Sequence, residues 1–484
     1  MRSPWIMLLV ACGGHHNSGN GGDGGNGNGP DACVDLQCQV TNCAAMSKPP
    51  TTIKGTVFAP NGTLPLYDVS VYVPSMQGVL PAFAPGVQCG QCSDNLPGDP
   101  IVTTTTSDGS TTPAGSFELD NIPDGDNIPV VITIGKWRRQ LKLAHVDACS
   151  STSLAAVDTS LPKSIDDMTP NTTAVDMPLI AISTGSADSL ECLVRRLGIA
   201  DKEITTDTES GHIHLFSDLQ AGRGKGVSAF QNGGGWTGGT GSFSDSQALW
   251  GTSTAGDKGK LSNYDIVILS CEGEQAANTK SQNAMNNMKA FADVGGRVFM
   301  SHWHNVWIEG STQDTTNGTQ KPMVWPAIAT YSDNSRPDPG NGTIDTIDET
   351  DNPKGPSFAS WMLDPAVTGS TTRDKIAIQD GTAKNTCTAI DKTKAEDWVN
   401  LLATDNPSGK SGPQMFQFTT PNEDDPSQRC GKVVFSDMHV SGNAGSGSYP
   451  TSCGDPATPA ALTPQEKALA FMFFDIASCV NVVQ

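Results

Sequence analysis

Of the six histidines outside the glycine-rich stretch near the start, three stand directly after short apolar runs: His302 and His304 after 297–301, and His439 after 432–436. Imidazole and carboxylate side chains are ligands for zinc and related divalent ions. Two side chains at i and i+2 of an extended segment point the same way. His302 and His304, with Asp437 and His439 arriving from a neighbouring strand, therefore form a candidate metal set. Glu272, His302 and His439 are the candidate catalytic groups, Glu272 as general base beside an ion-activated water. Cys271 is a thiol nucleophile if His302 or His439 approaches it, although the adjacent Glu272 raises a thiol's pKa and exported cysteines usually form disulfides. Asp218, Cys271 and Trp303 sit at the same run ends as ligand contacts. The alternative role for these histidines is to hydrogen-bond loop carbonyls and shape a sheet edge. His212 and His214 repeat the i, i+2 spacing but open their run instead of ending it, and read as structural.

Other chemistry is excluded. Gly222-Arg-Gly224-Lys-Gly226 lacks the frame and the Lys-Ser/Thr ending of a phosphate loop. Thirty Lys plus Arg against 51 Asp plus Glu give a net charge of −21, which rules against a nucleic-acid groove.

The elements that must place these groups alternate strand with helix. The runs 213–217, 265–270, 297–301 and 432–436 suit a parallel sheet, and Ser281 to Asp293 is a helix between the second and third. Leu190, Leu193, Val194 and Leu197 mark an earlier helix, with Ser186 as its cap and Gly198 as its stop. Thr463-Pro464-Gln-Glu466 opens a closing helix with a capping box, its inner stripe Leu469, Met472, Phe473 and Ile476. Ligands of open α/β sheets bind outside the carboxyl ends of the strands, which is where the candidate residues fall. Residues 186–484 thus read as a doubly wound α/β domain with a long insertion at 305–356. Tyr264-Asp265-Ile-Val-Ile-Leu269, Gly295-Gly296-Arg-Val-Phe-Met-Ser301-His302 and Gly431-Lys-Val-Val-Phe-Ser-Asp437-Met-His439 resemble the class I glutamine amidotransferase-like fold, nearest its ThuA-like branch. The resemblance implies a flavodoxin-like sheet. True amidotransferases carry a Cys in a Gly-x-Cys-x-Gly elbow where this chain has Ser301-His302-Trp303-His304, so glutamine hydrolysis is not implied.

Residues 51–149 show short period-two runs separated by Asp-Gly and Pro-Asn-Gly turns, the pattern of an antiparallel β-sandwich. They resemble carboxypeptidase regulatory-like domains, a transthyretin-like family, through the Gly-x-Val opening, Asp108-Gly109 and Phe117-x-Leu119 leading to Ile122-Pro123-x-Gly125. The resemblance implies a spacer or binding module and no catalytic residue. Trp137-Arg138-Arg139 reads as an exposed strand face, and 150–185 as a connector in which 177–182 is a further strand candidate.

Residues 1–12 carry Arg2, an apolar run and Leu9-Val10-Ala11-Cys12, resembling a bacterial lipoprotein signal whose new N-terminal Cys12 is acylated. Residues 13–50 are a Gly/Asn-rich tether with a cysteine cluster. Thirteen cysteines less Cys12 leave twelve, an even number that favours disulfides, with zinc at Cys33, Cys38 and Cys43 or at Cys89-Gly-Gln-Cys92 as the competing reading. The whole arrangement resembles envelope lipoproteins of the myxobacterial type. The expected location is the cell envelope, as an outer-membrane lipoprotein attached to the membrane through Cys12. The expected function is a surface binding or structural lipoprotein for carbohydrate or peptide, with a metal-assisted hydrolase using an ion such as Zn as the alternative.

Overall fold

Alternating β-branched residues build the first sheet pair. The strands are β1 (Thr52–Thr56), β2 (Ser70–Pro74), β3 (Pro100–Thr105), β4 (Ser116–Asp120), β5 (Gly125–Ile134), β6 (Trp137–Val146), β7 (Ser151–Ser153) and β8 (Thr172–Asp176). They form one sheet ordered β4-β1-β7 and another ordered β3-β2-β5-β6-β8. Ile53, Phe117 and Leu119 of the first share a core with Val71, Val73, Val130, Ile132 and Leu141 of the second, as in a β-sandwich. The computed structural model describes residues 33, 35–90, 96–185, 187–217, 243–310, 324–325, 328–332, 338–378, 384–440, 449–450, 453 and 461–480. Cys12, Asp218, Ser186 and the Gly222–Gly226 motif lie outside them.

Two expectations for this part are corrected. Residues 150–185 are not a connector: β7 pairs with β1, β8 pairs with β6, and β9 (Ile180–Thr184) starts the next sheet. Strands β7 and β8 are short, and their mixed burial blurs the period-two signal. Arg138 and Arg139 are not exposed either; each is about 1% accessible. Arg138 donates to Asp176 and to the Pro81 carbonyl, and Arg139 to Asp167 and to the Ser160 carbonyl, because loops fold over this strand.

A large sheet joins β9 to β10 (Ile204–Thr205), β11 (Ile213–Ser217), β12 (Ser244–Asp245), β13 (Ile266–Leu269), β14 (Arg297–Ser301), β16 (Ile344–Ile347), β17 (Lys375–Ala377), β19 (Glu396–Leu401), β20 (Gly412–Thr420) and β21 (Gly431–Ser436), while β15 (Ala329–Tyr331) and β18 (Cys387–Ile390) form a separate ribbon. Strands β11, β9, β13, β14 and β21 are neighbours in that order and all parallel. The chain adds β11 on one side of β9 and then β13 and β14 on the other, so the direction reverses at the crossover from β11 to β13 and the switch point lies between β9 and β13. Beyond β21 the sheet continues antiparallel through β20, β19, β16 and β17. The expected insertion at 305–356 is therefore too short: the chain leaves after β14 and returns to the parallel strands only at Gly431.

Helices cover both faces. They are α1 (Ala156–Thr159), α2 (Leu190–Arg196), α3 (Gln247–Trp250), α4 (Gln282–Asp293), α5 (Val306–Glu309), α6 (Gly355–Leu363) and α7 (Pro464–Ala477). Ser281 caps α4, and Thr463 with Glu466 forms the capping box of α7. Alternate strand residues enter two cores. Ile182, Ile268, Phe299 and Val434 pack with α2, α6, α7 and the sandwich interior. Ala181, Val267, Val298 and Phe435 pack with α3, α4 and α5.

The sandwich is fused to this layer, and Asp35–Gln484 is one compact unit. Trp137 meets Phe473 and Phe474 of α7 at ring-centroid distances of 6.4 and 6.3 Å. Gly135 lies in the β5–β6 turn with φ +53°, where a Cβ would stand 1.9 Å from the Ala477 carbonyl oxygen, so only glycine fits. Lys354 bridges Asp68 (2.9 Å) and Asp475 (2.7 Å), and Asp475 also holds Lys432 at 3.1 Å.

Disulfides add covalent ties. Cys43 pairs with Cys149, Cys89 with Cys430 and Cys192 with Cys453. Cys33, Cys38 and Cys479 are also disulfide-bonded. The Cys89–Cys430 bond, spanning 341 residues of sequence, removes Cys89 from any zinc site with Cys92. Among the described residues, the free thiols are Cys271 and Cys387, both buried.

Candidate metal centre

The strand-end site begins with the turn out of β14. The extended run stops at Ser301, and 302–305 wind into a 3-10 turn in which His302 takes φ +43°. A non-glycine residue in the left-handed region at a strand-to-helix turn is a strained position of the kind concentrated at functional sites. The turn aims His302 across to the end of β13, where its Nδ1 lies 3.4 Å from Cys271 Sγ. His439, from the segment after β21, meets the His302 ring edge to face with centroids 4.8 Å apart. One ligand atom from each of Cys271, His302 and His439 lies within 4.8 Å of the others, and all three residues are buried.

These donors fit a divalent ion. Bond lengths of about 2.0–2.3 Å in a tetrahedron put ligand atoms roughly 3.3–3.6 Å apart, so the triad needs to close by about an ångström. Nε2 of His439 is buried without a hydrogen-bond partner, as a ligand nitrogen awaiting an ion would be. Burial, reinforced by the neighbouring histidine and Lys384, holds His302 well below the ordinary histidine range. Burial pushes His439 down to about 3, so both imidazoles are neutral. Burial likewise pushes the Cys271 thiol up to about 12, with Asp188 and Glu272 adding to the shift. An unassisted Cys271 is thus a protonated, weak nucleophile near neutral pH, whereas coordination to a cation deprotonates a thiol outright.

The other expected ligands do not join. The i, i+2 rule requires an extended segment, and the 3-10 turn breaks it, so His304 leaves the His302 side. Its Nε2 hydrogen-bonds to the Ser270 carbonyl (2.9 Å), and its Nδ1 accepts from Trp307 Nε1 (3.0 Å). Asp437 accepts from Thr386 N and Oγ1 and from Cys387 N at 2.6–3.0 Å, anchoring β18 over the sheet. Glu272 is committed to the buried Lys280 at 2.6 Å and is not a free general base. Trp303 packs against the His302 ring at 4.5 Å, and the predicted contact Asp218 lies outside the described residues.

Residues missed in the sequence frame the centre. Asp188, between β9 and α2, accepts from Ser301 Oγ (2.6 Å), Ser189 N (3.1 Å) and Val440 N (3.0 Å). It therefore fixes the residue before His302 and the residue after His439, a positioning role, and burial pushes its carboxyl up to about 6. Gly185 permits the approach of β9 to this edge, since a Cβ there would be 2.1 Å from the Cys271 carbonyl oxygen. The available signal was the strand candidate 177–182, whose end places Asp188 at the same sheet edge. Further round the edge, both amide atoms of Asn385 and of Gln414 are buried without partners. Asn385 precedes Thr386, and the Gln414 carbonyl accepts from Asp437 N at 2.7 Å.

Glu191, on α2 three residues beyond Asp188, is fully buried with neither carboxyl oxygen hydrogen-bonded. Burial, with the Asp188 charge adding, pushes it up to about 8. The unfolded chain titrates a glutamate near ~4.3, so between that pH and about 8 the folded state holds the extra proton. This contribution to stability is complete below pH ~4 and is lost as pH rises through the folded value. Glu191→Gln should flatten that decline in urea unfolding followed from pH 5 to pH 8. An unchanged slope would show that Glu191 is not buried neutral.

No family model matches the chain, and no curated protein matches it. Among solved structures, an N-terminal interface mutant of a type II cohesin–X-dockerin complex from Acetivibrio cellulolyticus matches at 15% identity. The match covers 28% of this chain and 78% of that one, with a TM-score of 0.16, too slight a likeness to bear on fold or function.

Proposed function

We propose that the protein is a lipid-anchored envelope hydrolase whose Cys271, His302 and His439 hold a divalent ion, zinc being the simplest, and which acts on an extracellular carbohydrate or peptide. The observation that carries this reading is the convergence of one thiol and two neutral imidazoles within 4.8 Å, from three strand ends far apart in sequence. Three protein ligands leave a fourth position open, the arrangement of catalytic zinc sites. An ion held there supplies Lewis acidity, lowering the pKa of a water molecule towards 7 and polarising a carbonyl or phosphoryl oxygen. The chain's own residues position and select: Asp188 holds the two histidine segments, and Asn385 and Gln414 offer unpaired donors and acceptors beside them.

The parallel order β11-β9-β13-β14-β21 supports the flavodoxin-like, amidotransferase-like reading of this layer, with the site at the carboxyl ends as that fold class requires. In that reading His302 occupies the elbow after β14 that holds the amidotransferase nucleophile, and the thiol has moved to the adjacent strand. The nine described disulfide-bonded cysteines support an exported location. The transthyretin-like sandwich and the acylated Cys12 complete the proposal.

Hydrolysis of a panel of acetylated sugars and N-blocked peptides by the purified chain tests it. Activity should disappear on chelation and return with zinc or cobalt. Activity indifferent to chelation would remove the metal from the chemistry.

A further inference from the structure

The sandwich has an open seam. Strands β3 and β4 stand at the outer ends of their two sheets, and between them, reaching α6, runs a groove of about 780 Å³. This volume falls in the ~300–1,000 Å³ range of small-molecule sites, but such sites are predominantly apolar. Here eleven of the seventeen lining residues carry a hydroxyl, and the aliphatic and phenyl lining is confined to Pro113 and Phe117.

We infer that this groove binds a neutral oligosaccharide. Each Ser or Thr hydroxyl offers one donor and two acceptor lone pairs, the same complement that each sugar hydroxyl presents. Thr56, Thr104, Thr105 and Ser153 line the groove, and among the described residues none of these hydroxyls is spent on a hydrogen bond to the protein. Anionic glycans are disfavoured, since the charged lining residues are Lys54 against Asp108 and Glu118 and the chain carries a net charge of −21. An added peptide strand would take specificity from pockets for alternate side chains, and the lining includes no Val, Leu, Ile or Met to build apolar ones. The inference narrows the carbohydrate-or-peptide ligand of the proposed function, and it rests on the sandwich instead of the metal centre.

The test is ligand-observed NMR of the full chain in detergent with cellohexaose, laminarihexaose and chitohexaose. A polygalacturonate hexamer and an uncharged Thr/Val hexapeptide serve as comparisons. At least one neutral hexasaccharide should bind saturably, and Thr104→Val with Thr105→Val should weaken it tenfold or more while thermal unfolding is unchanged. Valine keeps both the shape and the strand preference of threonine, so the variant removes hydroxyls and little else. His302→Ala with His439→Ala should leave saccharide binding intact, which separates failure of the metal reading from failure of this one. Absence of binding by all three neutral probes, unaltered binding in the valine variant, or preference for the peptide or the polygalacturonate would overturn the inference.

Discussion

Cys271→Ser, or His302→Ala with His439→Ala, should weaken zinc binding by at least ~100-fold, because removing a ligand costs more than the 10–100-fold typical of its supporting partners. His304→Ala should leave zinc affinity within a few-fold of the parent. It should lower stability instead, by ~1–3 kcal/mol, because the Ser270 carbonyl and the Trp307 indole N–H lose their buried partner. The pair of results separates the geometry found here from the sequence expectation, in which His302 and His304 were equivalent ligands. Competition with a chromophoric chelator measures the first effect and urea unfolding the second. Equal loss of zinc from the His304 and His302 variants would contradict the arrangement.

Asp475→Ala should destabilise the protein by ~3–5 kcal/mol, the usual consequence of leaving buried charges without their counter-ion. Asp475 is buried between Lys354 at 2.7 Å and Lys432 at 3.1 Å, and Lys354 also reaches Asp68 of the sandwich. The two ammonium groups hold the Asp475 carboxyl well below the usual carboxylate range although burial opposes them. Burial pushes Lys432 down to about 8 against the pull of Asp475. A carboxylate whose folded pKa is depressed contributes stability that is present above its unfolded value of ~3.9 and is lost as pH falls through the folded value. The Asp475 contribution should therefore be constant from pH 5 to about pH 7, while Lys432 keeps its charge, and fade in strong acid. Urea unfolding at pH 7 measures it, and a loss under ~1 kcal/mol would mean that the network is dispensable.

The sequence made the elements legible where local signals and tertiary demands agree. The Ser281 cap, the Thr463 capping box and the apolar runs at 213–217 and 297–301 all reappear. The convergence of His302 and His439 was legible because parallel strands present their ends on one edge whatever their distance in sequence. Cys271 was legible as a thiol at a strand end, but its alignment with His302 depends on a turn at φ +43° that composition does not encode. The same turn removed His304, since a two-residue period means a shared face only while the chain stays extended. Asp437 and Glu272 failed for another reason: each stood next to a site residue, yet each found a partner, β18 backbone or Lys280, from a distant or later segment. Arg138 and Arg139 look like surface charge until the loop carrying Asp167 and strand β8, which ends in Asp176, supply their partners.

The metal content of the chain tests the central claim most directly. Protein purified without chelators, equilibrated with zinc and freed of excess, should hold about one ion per chain by elemental analysis, as expected for a single tetrahedral centre. The Cys271→Ser variant with His302→Ala and His439→Ala should hold almost none. Substoichiometric zinc in the parent, or equal zinc in parent and variant, would contradict a metal centre at these three residues.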